Sequence, residues 1–372
     1  MMISVFRVGD GSLLSGKTDH TANWWQSGIQ QVREFLLTFK KRKARRELIG
    51  IVISPQYLKL LKLKRNHQTI NVEYFSIHEL PAGAMTDLEI KKKEVIAQCL
   101  KEMMGKLDMQ ASDVVLGIPR SSTIVKNISV DHRLNMDEIE SRVWMEANRL
   151  FPNLIGEIYL DFVVTGATPN DAAKQDVMIV ACRKEQLEPY LEILHAADLS
   201  PRIVDVNYYA YERALSTTSK YLVQGKTFAF LSVNFGMLTL LGMQDDKLIY
   251  ANELTYDGHA LLKLRREHGN EDNADNTEVF KQILGLHLKH ALQFFYSSRP
   301  NVRVDIIILG GDVAATVPGL SDYISKEVCK EVVLANPFVD MKLAANIDKA
   351  SIEHYAPALM LCCGLALTRL GA

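Results

Sequence analysis

A chain of 372 residues with 48% apolar content has room for two domains or one large two-lobed unit. Its net charge of −1 is unevenly placed: residues 1–46 carry nine Lys/Arg against three Asp/Glu, so they sum to +6 and the remainder to −7, which disfavours nucleic acid as a partner. The five cysteines lack metal-ligand spacing, no signal peptide begins at Met1, and the longest apolar stretch, Ala356 to Leu367, holds a proline and is too short for a bilayer, so a cytosolic chain, neither exported nor integral, is expected.

Residues 1–23 are polar and without a clear period. Beyond them Trp25, Ile29, Val32, Leu36 and Phe39 recur at spacings of 4, 3, 4 and 3, which predicts one apolar face of a helix. The basic run Lys40-Lys41-Arg42-Lys43-Ala44-Arg45-Arg46 follows at once. Two readings stay open. The helix lies on an anionic membrane face or against a partner helix, or Trp24 and Trp25 cover a core edge and the basic run is a solvated linker.

Leu48 to Ile53 reads as a buried strand, Ser54 to Gln56 as a tight turn, and Tyr57 opens a second strand. Ile70 to Ile77 continues the sheet, Glu94 to Met109 reads as a helix, and Val114 to Pro119 as another buried strand. Residues 121–183 have their own β-α-β-β rhythm. Strand Thr123 to Val130 leads to a helix from Met136 to Leu150, broken by Pro152; strands Ile158 to Val164 and Val177 to Cys182 are joined around Gly166 and Pro169. The first strand sets Ile124, Lys126, Ile128 and Val130 against Val125, Asn127 and Ser129, one apolar and one wet face.

The helical period returns at Leu187, Leu191 and Leu194, before strand Arg202 to Val206 and a helix from Asn207. Gly225 marks the boundary to a second half. There Phe228 to Leu241 repeats strand, turn, strand, and Leu248 to Leu254 adds a third. A long helical region runs to about Ser298, interrupted by the polar loop Gly269 to Asn276. A buried strand from Val304 ends in the pair Gly310-Gly311, and a helix from Pro357 to Leu370 closes the chain.

Two hairpins of this form, each opening one half of a chain, resemble the phosphate hairpins of the actin-like ATPase superfamily. Gly50 to Lys59, Gly117-Ile118-Pro119, Glu146-Ala147-Asn148 with Phe151-Pro152, Val180 to Glu185, Val204-Asp205-Val206, Leu309-Gly310-Gly311, Pro318-Gly319-Leu320, Asn336-Pro337-Phe338 and Gly364-Leu365-Ala366 then follow in order. Together they resemble the PilM family of type IV pilus assembly proteins, relatives of the cell-division protein FtsA, over residues 47–372. The resemblance implies an α/β, actin-like two-lobed ATPase fold of ribonuclease-H-like subdomains with an inserted small α+β module. Its implied parts are an extension (1–46), subdomain 1A (47–120 and 184–224), the inserted 1C module (121–183) and a second lobe (225–372).

It also implies a role: a cytoplasmic scaffold, peripheral at the inner membrane, assembled as a ring. Such a scaffold binds the cytoplasmic N-terminal tail of a PilN-like protein, with other pilus platform proteins as further candidates. The tail is expected between 1A and the insert, at Ile124, Lys126 and Ile128. The one cofactor the resemblance admits is ATP, at Ser54, Lys59, Asn234, Gly236, Thr239, Gly310 and Gly311. The sequence departs from the family here: the first-hairpin Asp is Val52, the hairpin Gly is Ser54, Pro55 removes an N–H from a turn that works by aiming N–H groups at phosphate, and the second Asp is Asn234. Asp257-Gly258 stands where the family has a glycine pair. Hard cations want carboxylate or phosphate oxygens, and losing one such group typically costs on the order of 10²–10⁴ in rate. A scaffold without turnover is therefore expected, with an ATP-hydrolysing switch or an FtsA-type filament former as the alternatives.

Overall fold

The computed structural model describes residues 47–370 apart from 68, 87–88, 107–111, 153, 219–224, 246 and 258–273. The apolar face Trp25 to Phe39, the basic run and Gly258 lie outside the described residues. So does the expected polar loop from Gly269 as far as residue 273, while Ala274 already begins a helix.

The first half opens with β1 (Ile49–Ile53), β2 (Tyr57–Asn66) and β3 (Thr69–Glu79), antiparallel in turn. A two-stranded ribbon, β4 (Met85–Thr86) and β5 (Glu89–Ile90), precedes α1 (Lys93–Gly105). β6 (Asp113–Ile118) pairs parallel with β1. The insert follows as β7 (Thr123–Asp131), α2 (Met136–Leu150), β8 (Ile158–Thr168) and β9 (Asp171–Arg183). α3 (Lys184–Ala196), β10 (Ser200–Val206) and α4 (Asn207–Ser216) return to the first half, where β10 pairs parallel with β6.

The second half repeats the plan. β11 (Thr227–Asn234), β12 (Met237–Gln244) and β13 (Lys247–Thr255) form an antiparallel meander. After α5 (Ala274–Ser298) come β14 (Ile306–Gly310), α6 (Asp312–Thr316), α7 (Leu320–Val328) and β15 (Glu331–Leu334). The strand orders are β10-β6-β1-β2-β3 and β13-β12-β11-β14-β15, three antiparallel strands followed by two parallel ones in each. β1, β11 and β12 read as unbroken apolar runs because both of their faces are covered. On β11, Phe228 and Phe230 face the first half's core, while Ala229, Leu231 and Val233 face the second's.

Local chemistry explains the insert. Asn135 accepts hydrogen bonds from the backbone of Asp137 and Glu138, each at 3.0 Å, and the Glu138 carboxylate accepts one from Asn135 N at 2.9 Å, which fixes the start of α2. Strands β8 and β9 run past the expected Val164 and Val177, to a two-residue turn at Pro169-Asn170 in which Asn170 takes φ 65°. The module's sheet order is β7-β9-β8, so β7 is paired on one side only among the described residues.

The chain's end corrects the expected boundary of the second lobe. β16 (Lys342–Leu343) pairs with β3 of the first sheet. After α8 (Lys349–Tyr355), the expected closing helix runs as a 3₁₀ turn, then α9 (Met360–Ala366), then another 3₁₀ turn, all within the first half's core. The apolar segment needs cover, and the first sheet offers a groove for it. Lys349–Arg369 is long and apolar enough to cross a membrane by length and composition, yet 72% of its most apolar window is buried in the fold.

Two glycines set how deep α9 sits. A Cβ on Gly364 would lie 1.7 Å from the Ala210 carbonyl oxygen, and one on Gly50 would lie 2.5 Å from that of Cys362. Arg213 of α4 pins the same helix, donating to Gly364 O at 2.5 Å and to Asp205 at 2.7 Å. Gly364→Ala is therefore expected to cost about 3 kcal/mol or more, the upper range for forced overpacking. Denaturant titration with soluble yield measures it, and a loss below about 0.5 kcal/mol, the scale of a surface substitution, would mean the helix is not held this close.

Candidate functional site

Both hairpin turns point into the cleft between the halves; the first is closed by its own atoms and the second is held by Tyr256. Ser54 Oγ donates to Tyr57 O at 2.8 Å and accepts from Tyr57 N at 3.1 Å, while Ser54 N donates to Tyr57 O at 3.0 Å. In the second hairpin Gly236 takes φ 87°, and its carbonyl accepts from Tyr256 N at 3.1 Å. The Tyr256 hydroxyl donates to the Asn234 carbonyl.

Lys59 is not the solvated lysine that its position in an alternating strand suggests. It is 3% exposed and ion-paired with Asp312, itself 3% exposed, at the start of α6. The Lys59 ammonium also donates to Ala358 O at 3.1 Å, so β2, α6 and the returning C-terminal segment meet at one cation. Burial pushes the Asp312 carboxyl above the ordinary carboxylate range, and the Lys59 charge pulls against that shift. Asn234 finishes the arrangement: its Oδ1 accepts from Asp312 N at 3.1 Å and its Nδ2 donates to Ser232 Oγ at 3.1 Å. An amide can do both, whereas a carboxylate would face the buried Asp312 as a like charge.

Two further contacts bridge the halves. Tyr211 of α4 shares a 2.9 Å hydrogen bond with Ser232 of β11, and burial pushes its phenol upward. Glu253 of β13 accepts from the backbone N–H groups of Arg120 and Ser121, each at 3.2 Å; burial raises this carboxyl while those donors lower it. What remains between the hairpins is a cavity of about 60 Å³, lined by Val52, Pro55, Lys59, Asn234, Thr239 and Asp312 among others.

That volume decides the fit of a nucleotide. Small-molecule sites run from about 300 to 1,000 Å³, so the space holds a few waters at most. Thr239, 2% exposed, faces this residual space rather than an open pocket. The glycine pair serves protein packing: a Cβ on Gly311 would lie 2.3 Å from Val233 O, one on Gly310 would lie 2.8 Å from the Phe230 ring, and Gly311 N donates to Pro357 O at 2.7 Å. ATP therefore does not fit these residues in this arrangement. A larger cavity, about 650 Å³, lies against Tyr57, Ile77, Val317, Leu334 and Tyr355, and contains none of residues 54–56 or 234–237. Among the described residues no group of three His, Cys, Asp or Glu could hold a metal.

The expected partner residues divide. Ile124 is 46% exposed at the start of β7. Lys126 is tied to Glu146 of α2 at 2.6 Å, and Glu146 also meets Arg149 at 2.7 Å, which holds its carboxyl down at about 2. Ile128 packs on the module's own core with Val130, Ile139 and Val143. Sequence reading missed Asp312, Tyr211, Ser232 and Glu253. The available signals were an acid directly after a glycine pair and a Glu within an apolar strand.

Two ribonuclease-H-like sheets facing a cleft across paired hairpins, with a small α+β module inserted in the first, define an actin-like ATPase fold. A family described as type IV pilus assembly protein PilM matches residues 50–269 and 259–370. The chain belongs to that family. The solved PilM–PilN type IV pilus biogenesis complex is similar at 22% identity and TM-score 0.70, covering 88% of this chain and all of that one. Ethanolamine utilization protein EutJ from Carboxydothermus hydrogenoformans is similar at 13% identity and TM-score 0.48, over 92% of this chain and 99% of that one. An actin-like ATPase fold protein from Bacteroides thetaiotaomicron matches at 9% identity and TM-score 0.40, over 84% of this chain and 96% of that one.

Removing one partner of a buried ion pair typically costs 3–5 kcal/mol, whereas replacing both by apolar groups is close to neutral. Lys59→Met alone is expected to destabilise by about 3–5 kcal/mol, and Lys59→Met with Asp312→Leu to recover most of that. Stranded in the single variant, Asp312 has its folded-state pKa raised, so protonation favours the fold and the deficit should shrink as pH falls from neutrality. Denaturant midpoints of wild type, Lys59→Met, Asp312→Leu and the double variant read this; additive losses would show that the pair is not coupled.

Proposed function

We propose that the chain is a non-hydrolysing scaffold of the type IV pilus assembly platform at the cytoplasmic face of the inner membrane. In this reading it holds the extended cytoplasmic tail of a PilN-like membrane protein at the seam between the first half and the insert. The observation that carries the reading is the cleft: the Lys59–Asp312 pair joins the two halves where a metal and phosphates would have to enter. Val52 and Asn234 leave no carboxylate on either hairpin to organise a hard cation, and the cavity of about 60 Å³ is several-fold too small for a nucleotide.

The seam supports the binding half of the proposal. β7 has one unpaired edge among the described residues, and a disordered tail gains most by adding a strand to such an edge. Val125 packs toward the first half's core and Ile128 toward the module's own, so the strand is held from both faces with its edge available. Ile124 is the apolar residue left at the entrance. The likeness to a PilM–PilN complex supports a tail of that class as the occupant.

Phosphate release with MgATP should stay at background for the wild-type chain. Titration calorimetry with a synthetic PilN-like tail should give the same affinity with and without MgATP, and Ile124→Glu should weaken it at least tenfold without moving the melting temperature. Hydrolysis abolished by Lys59→Met, or unchanged tail affinity in Ile124→Glu, would refute the corresponding half of the proposal.

A further inference from the structure

α5 is amphipathic in an unusual sense, because it has two apolar faces. Phe280, Leu284, Leu288, Ala291, Leu292 and Phe295 are buried against the second sheet. On the outer side Val279 is 43% exposed, Leu286 59% and Phe294 56%. With partly buried Ile283 and exposed His290, they recur at spacings of 4, 3, 4 and 4 along one stripe about 22 Å long. Water meets three large apolar side chains on one helix face, a pattern that marks an interaction surface.

The chain itself carries the matching half. Trp25, Ile29, Val32, Leu36 and Phe39 recur at spacings of 4, 3, 4 and 3, a pattern that would span about 21 Å on a helix. Alternating spacings of 3 and 4 are what lets two helices interlock side chains along a shared seam. Charge fixes the direction. The six Lys/Arg between Lys40 and Arg46 follow the stripe of the extension, and Asp275 and Glu278 lie in the opening turns of α5. Antiparallel packing brings these two groups together; parallel packing separates them by the length of the seam.

We propose that residues 25–39 of one copy pack antiparallel on the outer stripe of α5 in a second copy. The entry point of the described chain favours a second copy over the same one. Glu47 is held at 3.5 Å by Lys62 and 3.8 Å by Lys64, on the half of β2 away from the cleft, whereas α5 covers the second sheet beyond the cleft. The seven residues 40–46 reach roughly 25 Å at full extension. Donor segment and acceptor stripe are different surfaces of each copy, so the contact is heterologous and builds a ring or a filament. The proposal does not use the nucleotide cleft or the β7 seam and stands apart from the function proposed for them.

Sedimentation equilibrium on the full chain tests it, with Leu36→Glu and Leu286→Glu as two single variants. Leu286 is exposed and Leu36 precedes the described residues, and neither substitution should move the melting temperature. Wild type should associate with rising concentration and do so less at high salt; each variant should associate at least tenfold more weakly. An equimolar mixture of the two variants should form a dimer, because Leu286→Glu supplies an intact segment and Leu36→Glu an intact stripe. A mixture that stays monomeric overturns the proposal, as does wild type that stays monomeric. Flotation with anionic phosphatidylglycerol vesicles is the second arm: binding lost in Leu36→Glu and kept in Leu286→Glu, with no self-association in wild type, would assign the segment to a membrane surface instead.

Discussion

The buried pair of Lys59 and Asp312 is the contact on which the arrangement of the two halves depends. Each residue alone would be a charge stranded in an apolar interior, with a desolvation penalty of several kcal/mol. Together, with Ala358 O and the Asn234 amide as further partners, they are satisfied only while the halves stay closed. The cleft between the two halves is thereby held shut from inside. Tyr211 with Ser232, and Glu253 with the 120–121 backbone, repeat the closure at either side.

The C-terminal segment makes that closure structural. It leaves the second half, adds β16 to the first sheet, and lays α9 into a groove deepened by Gly50 and Gly364. On its way it supplies the Ala358 carbonyl to Lys59 and the Pro357 carbonyl to Gly311. Lys59 and Gly311, two of the expected nucleotide positions, are thus engaged by the chain's own backbone. Gly310 and Gly311 are accounted for by packing, since a Cβ on either would meet Phe230 or the Val233 backbone.

Much of this was legible in the sequence where the pattern is local. β1, β11 and β12 announced themselves as unbroken apolar runs because both faces are buried. α2 was legible from end to end, since Asn135 and Glu138 form a capping box and Ile139, Val143 and Ala147 keep the helical period. Val52, Pro55 and Asn234 were legible by residue type as departures from the family's hairpin pattern. Long-range facts were not legible. Nothing near Lys59 signals Asp312, and a lysine in an alternating strand looks solvated. The short strands β15 and β16 and the helix α7 carry too few residues for a period to show. For the same reason the closing helix reads as part of the second half, although its burial partners lie in the first.

Hydrogen exchange at Tyr57 to Leu60 and Asp312 to Ala314, with and without MgATP, tests the closed cleft most directly. These amides flank the buried pair and report its opening. Slow exchange that MgATP leaves unchanged is the expected result. Fast exchange that MgATP suppresses would mean that the halves open and take up nucleotide, and would contradict the account.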